Sequence, residues 1–250
     1  MNDPERNLVV VEDDVALARA VARSFVDKAN AAIGARGGFF VALAGGSTPK
    51  AAYALLAAEY RDALAWDAVR FFFGDERCVP PDSDESNYKM AHTAMLAPLG
   101  IRDEHVHRLR GEDEPARAAR EYAQLLIRDV PPILGPPAFD LVMLGMGPDG
   151  HTASLFPGTD PLTDDAALVR APFVEKFGTY RITLTPHVIN AARDVEVATA
   201  GPGKAAALAA VLEGPYNPLL FPIQILNPAP GRLTWLVDRA AATKLTVKPG

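Results

Sequence analysis

The chain has 250 residues, 49% of them hydrophobic and 22% charged, with a formal net charge of −6. That mix suits a large α/β core, and the acidic balance argues against a general nucleic-acid role, since phosphate backbones are bound with excess Lys and Arg. Cys78 is the single cysteine, which excludes an internal disulfide and a Cys cluster for zinc. The start MNDPERNLVV lacks the pattern of a secretory leader, and no apolar run approaches the roughly 20 residues of a spanning helix. A cytoplasmic chain without membrane contact is expected.

In chain order, Asp13 and Asp14 precede Val15, Leu17, Ala18, Val21, Ala22, Phe25, Val26 and Ala29 at helical spacing, with Gly34 and Gly37 as the stop. Residues 38–44, GFFVALA, read as a buried strand. It runs into Gly45, Gly46, Ser47, Thr48 and Pro49, then an alanine-rich helix over about 50–58. Pro49 suits a first helical turn, and Ser47 or Thr48 can cap it. A glycine turn between a strand and a helix start offers backbone N–H groups at the positive end of the helix dipole, a seat for phosphate. It is neither a Walker loop nor a dinucleotide fingerprint.

A third strand in 66–73 ends in Gly74-Asp75-Glu76-Arg77-Cys78. Asp75 can orient a base or hold a hydroxyl, and Arg77 can stabilise an anionic oxygen. Cys78 reads as packing. The polar loop 82–88 leads into a helix over 88–96, with Ser86 and Asn87 able to cap it or to touch substrate hydroxyls. His105 and His107 share one face of a possible strand, but with no third ligand in view they read as structural, and no metal is expected. Residues 112–129 form an amphipathic helix with Tyr122, Leu125 and Leu126 inward. The proline-rich connector 131–137 is short and marks no domain boundary, so residues 1–250 are expected to form a single α/β domain.

The run 139–144 is apolar and short, as a strand buried on both faces should be. Gly145, Gly147 and Gly150 break it, and Asp149 and His151 sit in the turn. A strand ending in a glycine turn is where α/β sheets place ligands. His151 can take a proton near neutral pH, with Asp149 or Asp75 orienting it. After an irregular stretch, 159–171, a strand over 180–185 carries Arg181. A strand over 195–200 runs into Gly201-Pro202-Gly203-Lys204 and another alanine-rich helix. A lysine in a first turn opposes the dipole unless an anion is bound, so Lys204 and Arg181 are candidate phosphate ligands. A last strand spans 233–237, followed by a short alanine-rich helix.

Three segments resemble 6-phosphogluconolactonases: AGGSTP at 44–49, GDERCVPPDSDESNY at 74–88 and GMGPDGHTASLFPG at 145–158, with RITLT at 181–185 and GPGK at 201–204 adding to the likeness. The resemblance implies a three-layer α/β/α sandwich with a mainly parallel, Rossmann-like sheet, as in glucosamine-6-phosphate deaminase and ribose-5-phosphate isomerase. It implies hydrolysis of 6-phospho-D-glucono-1,5-lactone, with His151 as base, Arg77 on the substrate, and the Gly45–Thr48 turn, Arg181 and Lys204 at phosphate-contacting positions. No metal or organic cofactor and a monomeric state are expected. An oxyanion would be held by Arg77 or by backbone N–H groups over 147–150. The first rival is the deaminase of the same family. It carries a carboxylate where this chain has Phe156 and a tyrosine where this chain has Arg77. The second is a non-catalytic sugar-phosphate sensor, which would lose the base and add a DNA-binding helix pair.

Overall fold

The computed structural model describes residues 7–133, 135–162, 166–229 and 231–246. The reading of the first six residues, of Leu134 in the connector, and of 163–165 in the irregular stretch lies outside them. Six parallel strands form the central sheet: β1 (Asn7–Val11), β2 (Phe39–Leu43), β3 (Val69–Phe73), β5 (Leu141–Gly145), β9 (Asp194–Thr199) and β10 (Arg232–Asp238). A second, antiparallel sheet joins β4 (Asp75–Arg77), β8 (Thr179–Leu184) and β6 (Val169–Arg170), and β7 (Phe173–Val174) pairs with β8. The helices are α1 (Asp14–Arg36), α2 (Ser47–Glu59), α3 (Asn87–Ala91), α4 (Ala97–Leu99), α5 (Pro115–Asp129), α6 (Pro186–Ile189) and α7 (Ala205–Glu213). Helices flank the central sheet in the three-layer, Rossmann-like arrangement that the strand–helix alternation requires. None of those described is long and apolar enough to cross a membrane.

The inner strands are mostly apolar because both faces are covered: every residue of β9 is buried, Asp194, Glu196 and Thr199 included, as are the first four of β5. Asp13 caps α1 by accepting from the Ala16 N–H at 2.8 Å, and Gly37 ends it with a left-handed φ of 77°. Gly34 lies inside that helix rather than at its stop. Neither Ser47 nor Thr48 caps α2; Gly46 occupies the cap position and no side chain bonds the first turn. The helix expected over 88–96 starts at Asn87 and passes through a π-helical turn, His92–Leu96, into α4. α5 starts at Pro115 with Glu114 accepting from two backbone N–H groups, three residues later than the pattern indicated. β1 was not legible as a strand. It is a five-residue edge strand paired only with β10 and partly exposed along its length. The second sheet was also unforeseen, because three of its strands are two or three residues long.

Strand order in the central sheet is β1-β10-β9-β5-β2-β3. From β2 the chain steps outward to β3, then returns across β2 to build β5, β9 and β10 in the opposite direction. The reversal lies between β2 and β5. In open α/β sheets a crevice forms outside the carboxyl ends of the strands at such a switch point.

Candidate functional site

A cavity of about 280 Å³ occupies that crevice. The turn after β2 supplies Gly45, Gly46, Ser47 and Thr48. The turn after β3 supplies Asp75 and Arg77, the turn after β5 supplies Gly147 and His151, and the turn after β9 supplies Lys204; Asn87 of α3 closes one side. Most of the residues singled out in the sequence therefore share one space. Arg181 is not on the lining. It stands on β8 directly opposite Arg77 of β4, with its guanidinium over the Phe177 ring at 5.2 Å.

His151 Nδ1 and Asp149 Oδ1 are 2.5 Å apart, so Asp149 is the carboxylate that orients the imidazole. With the proton on Nδ1, Nε2 is the basic nitrogen. Burial works against the Asp149 charge, but hydrogen bonds from His151 and Lys176 outweigh it and hold the carboxyl well below the usual range. The imidazole also lies flat on Phe156, with centroids 4.2 Å apart and an interplanar angle of 27°. The turn beneath is close-packed: a Cβ at Gly147 would sit 2.0 Å from His151 Nδ1 and 2.7 Å from Asp149 Oδ1. Ala153, on the cavity wall, is held at a left-handed φ of 46°, a strained backbone two residues from the imidazole.

Asp75 does not orient His151. Its Oδ2 accepts from Ser154 Oγ at 2.7 Å and its Oδ1 from Asn87 Nδ2 at 3.2 Å. Asn87 packs so tightly against the diglycine turn that a Cβ at Gly45 would meet its Oδ1 at 2.0 Å. The backbone over 147–150 is also largely spent. Gly147 N–H donates to His151 O, Gly150 N–H donates to Gly147 O, and Pro148 has no N–H, so that segment does not form an oxyanion hole of several donors. Arg77 Nη1 donates to the Glu85 carbonyl at 2.5 Å, leaving the guanidinium on the cavity wall without a carboxylate partner among the described residues.

Glu76 was passed over in the sequence. It is buried and accepts from the N–H groups of Arg77, Asn87 and Tyr88 and from Ser86 Oγ, fixing the 82–88 loop around Arg77. Burial raises its pKa despite those donors. Lys176 was missed as well, because it lies 27 positions from Asp149 and no local pattern marks it. Burial pulls the Lys204 ammonium below its usual range; Asp149 opposes that shift and Lys176 adds to it.

Other candidates have local explanations. Arg102 donates to His105 Nε2 at 3.0 Å, which requires a neutral ring, and His107 stacks on Phe72 at 4.5 Å. Among the described residues no three His, Cys, Asp or Glu side chains are grouped to hold a metal ion. Burial raises the Cys78 thiol more than Arg181 lowers it, the opposite of an activated nucleophile.

Fold and site together define a Rossmann-like α/β/α enzyme with a histidine–carboxylate pair at the switch point of its sheet. Over residues 12–235 the chain matches the family described as glucosamine-6-phosphate isomerases/6-phosphogluconolactonase. It belongs to that family and is an enzyme of its 6-phosphogluconolactonase branch. It is 40% identical to the 6-phosphogluconolactonase of Nostoc sp. (strain PCC 7120), across 97% of this chain and 100% of that one. It is also 40% identical to that of Treponema pallidum, across 80% and 83%. The solved structure of 6-phosphogluconolactonase from Trypanosoma brucei superposes with a TM-score of 0.88 at 32% identity, covering 98% of this chain and 100% of the other.

Proposed function

We propose that the chain hydrolyses 6-phospho-D-glucono-1,5-lactone to 6-phospho-D-gluconate, in the oxidative branch of the pentose phosphate pathway, with His151 as general base. The observation that carries this reading is that His151, hydrogen-bonded to Asp149, lines the same cavity as the diglycine turn and Lys204. A lactone is an activated ester and needs no covalent nucleophile. It needs a positioned water, a group to take its proton, and positive charge near the oxygen that becomes negative.

His151 Nε2 accepts the proton as water attacks the lactone carbonyl carbon, and Asp149 stabilises the imidazolium that forms. Arg77, on the cavity wall, is assigned to the oxyanion; the scarcity of free donors in the 147–150 backbone supports this. When the tetrahedral intermediate collapses, the bond from the carbonyl carbon to the ring oxygen breaks. The proton returns from His151 to that oxygen, which leaves as a hydroxyl. The phosphate, held by Lys204 and the Gly45–Thr48 turn with Arg181 behind Arg77, fixes the ring by binding remote from the reacting atoms. Two guanidinium groups opposed across β4 and β8 repel one another, and an anion nearby relieves that cost. Asp75 acts by holding Asn87 and Ser154.

A deaminase reading fits less well, because a phenyl ring covers the imidazole where a carboxylate would be needed for proton transfers. The test is a coupled assay with freshly generated 6-phosphogluconolactone, run beside glucosamine 6-phosphate. Turnover of the lactone alone is expected; release of ammonia from the amino sugar with no lactone hydrolysis would overturn the assignment.

A further inference from the structure

The mechanism above leaves Lys176 without a task. Its Nζ donates to Asp149 Oδ2 at 3.0 Å while His151 takes Oδ1 of the same carboxylate. We propose that Lys176 is a positioning residue that sets the basicity of His151 by sharing the Asp149 carboxylate with it. This rests on reading His151 as the base.

The turn that carries Lys176, Glu175–Phe177, bonds Asp149 directly and reaches His151 through Phe156. Lys176 reaches the carboxylate. Phe177 meets Phe156 edge-on at 5.6 Å, and Phe156 lies flat on the imidazole. The turn is anchored. β7 pairs with β8 through Phe173↔Tyr180 and Val174↔Thr179, and Gly178 closes the turn by donating to the Glu175 carbonyl from a left-handed φ of 61°. Lys176 itself is half exposed at 53%, and among the described residues its ammonium meets, apart from Asp149, the Phe177 ring 5.5 Å away. A long, exposed side chain gives up conformational freedom to hold one geometry, so this pairing is a weak structural device. Its electrical effect on the neighbouring imidazole is the larger consequence.

The charged groups around that imidazole come from five elements. Asp149 lies on its own loop and Lys176 on the 175–177 turn. Lys204, after β9, interacts with both of them. Asp75 and Arg77, on β4, line the same cavity, and Asp75 is already engaged by Ser154 and Asn87. Arg181 stands behind Arg77. Of these, Lys176 alone bonds the carboxylate that bonds the imidazole. An ammonium on Oδ2 draws charge from Asp149 and repels an imidazolium directly. Both effects lower the proton affinity of His151 below what Asp149 alone would give it. A general base needs the unprotonated ring, and the ammonium on Oδ2 favours that form.

The test is the K176M variant, read by NMR titration of the His151 ring, whose signal is assigned by its loss in His151→Gln. The midpoint is expected to rise by about half a unit, because the pair is partly screened by solvent. The acid limb of kcat/KM should move by the same amount, and K176R should return both to the parent values. An unchanged His151 midpoint in K176M overturns the proposal, as does a raised KM with an unmoved pH profile, which would make Lys176 a substrate ligand. A midpoint that shifts while the acid limb stays put would support the Lys176–His151 coupling and reject His151 as the base, so the two readings fail separately.

Discussion

The two ends of the central sheet are both rich in charge and use it in opposite ways. At the amino ends of the strands, Asp140 accepts from Arg36 at 2.6 Å and from the Phe40 N–H at 2.9 Å, with Arg193 at 3.4 Å. Nearby, Asp194 is bound by Arg232, and Lys28 bonds Glu196 at 2.6 Å. Each cation lining the cavity there (Lys28, Arg36, Arg193 and Arg232) faces a carboxylate. At the carboxyl ends, Arg77 and Arg181 donate to backbone carbonyls, and burial lowers the pKa of Arg181 and of Lys204. The cavity at the amino ends is the larger, about 510 Å³ against 280 Å³. Size therefore does not single out the site. Cations without carboxylate partners do, because only they have binding capacity left for an anionic ligand.

The sharpest way to break this contrast is to remove one carboxylate partner or base at each end. His151→Ala is expected to lower kcat about 10³-fold, in the range of general-base contributions, with stability little changed. Near-parental turnover in the coupled assay would move the base elsewhere. Asp140→Ala should do the reverse. It strands two arginines and an N–H group, costing about 2–4 kcal/mol in a urea melt while leaving kcat/KM within twofold. A large activity loss there would mean that the two ends are coupled.

Smaller changes sharpen the carboxyl end. Gly147→Ala places a methyl group where His151 and Asp149 lie, and displacing a catalytic group by about 1 Å costs on the order of 10²-fold in kcat. Normal kinetics in Gly147→Ala would show that the pair can shift without consequence. Lys204→Met should raise KM roughly tenfold with a smaller change in kcat, the sign of lost binding. A dephosphorylated lactone should show no such difference between the two proteins.

The smallest effect is a pH dependence. The folded state holds the Asp149 pKa below its ordinary value of 3.8, so its contribution is complete above that pH and is lost as pH falls through the folded value. Asp149→Asn should therefore be less stable by about 1 kcal/mol at pH 7, after allowing for solvent screening. The gap should persist to about pH 4 and close below it. Urea melts at pH 7, 4 and 2.5 check the sign; a gap that widens in acid contradicts it.

Legibility in the sequence followed the range of the forces involved. The N-cap of α1, its stop at Gly37 though not at Gly34, the buried central strands and the glycine turns depend on near neighbours in the chain, and they read correctly from residues alone. β1 and the small antiparallel sheet depend on pairing across long separations, so a two- or three-residue strand leaves no usable pattern. The caps expected at Ser47 and Thr48 failed for a related reason: Asn87 presses against Gly45 from 42 positions away, and Gly46, not a hydroxyl side chain, begins the helix.

The sequence by itself determined the α/β alternation, the positions of the glycine turns, and the presence of a histidine, a carboxylate and several cations at strand ends. Tertiary structure alone decided which carboxylate serves which partner. It put Asp149 on His151, Asp75 on Ser154 and Asn87, and Glu76 on the backbone of the neighbouring loop. It also brought Lys176 to Asp149 and set Arg181 behind Arg77 rather than on the cavity wall. The physical reason is that a hydrogen bond of about 3 Å is set by where folded elements cross, and spacing along the chain carries no record of that crossing.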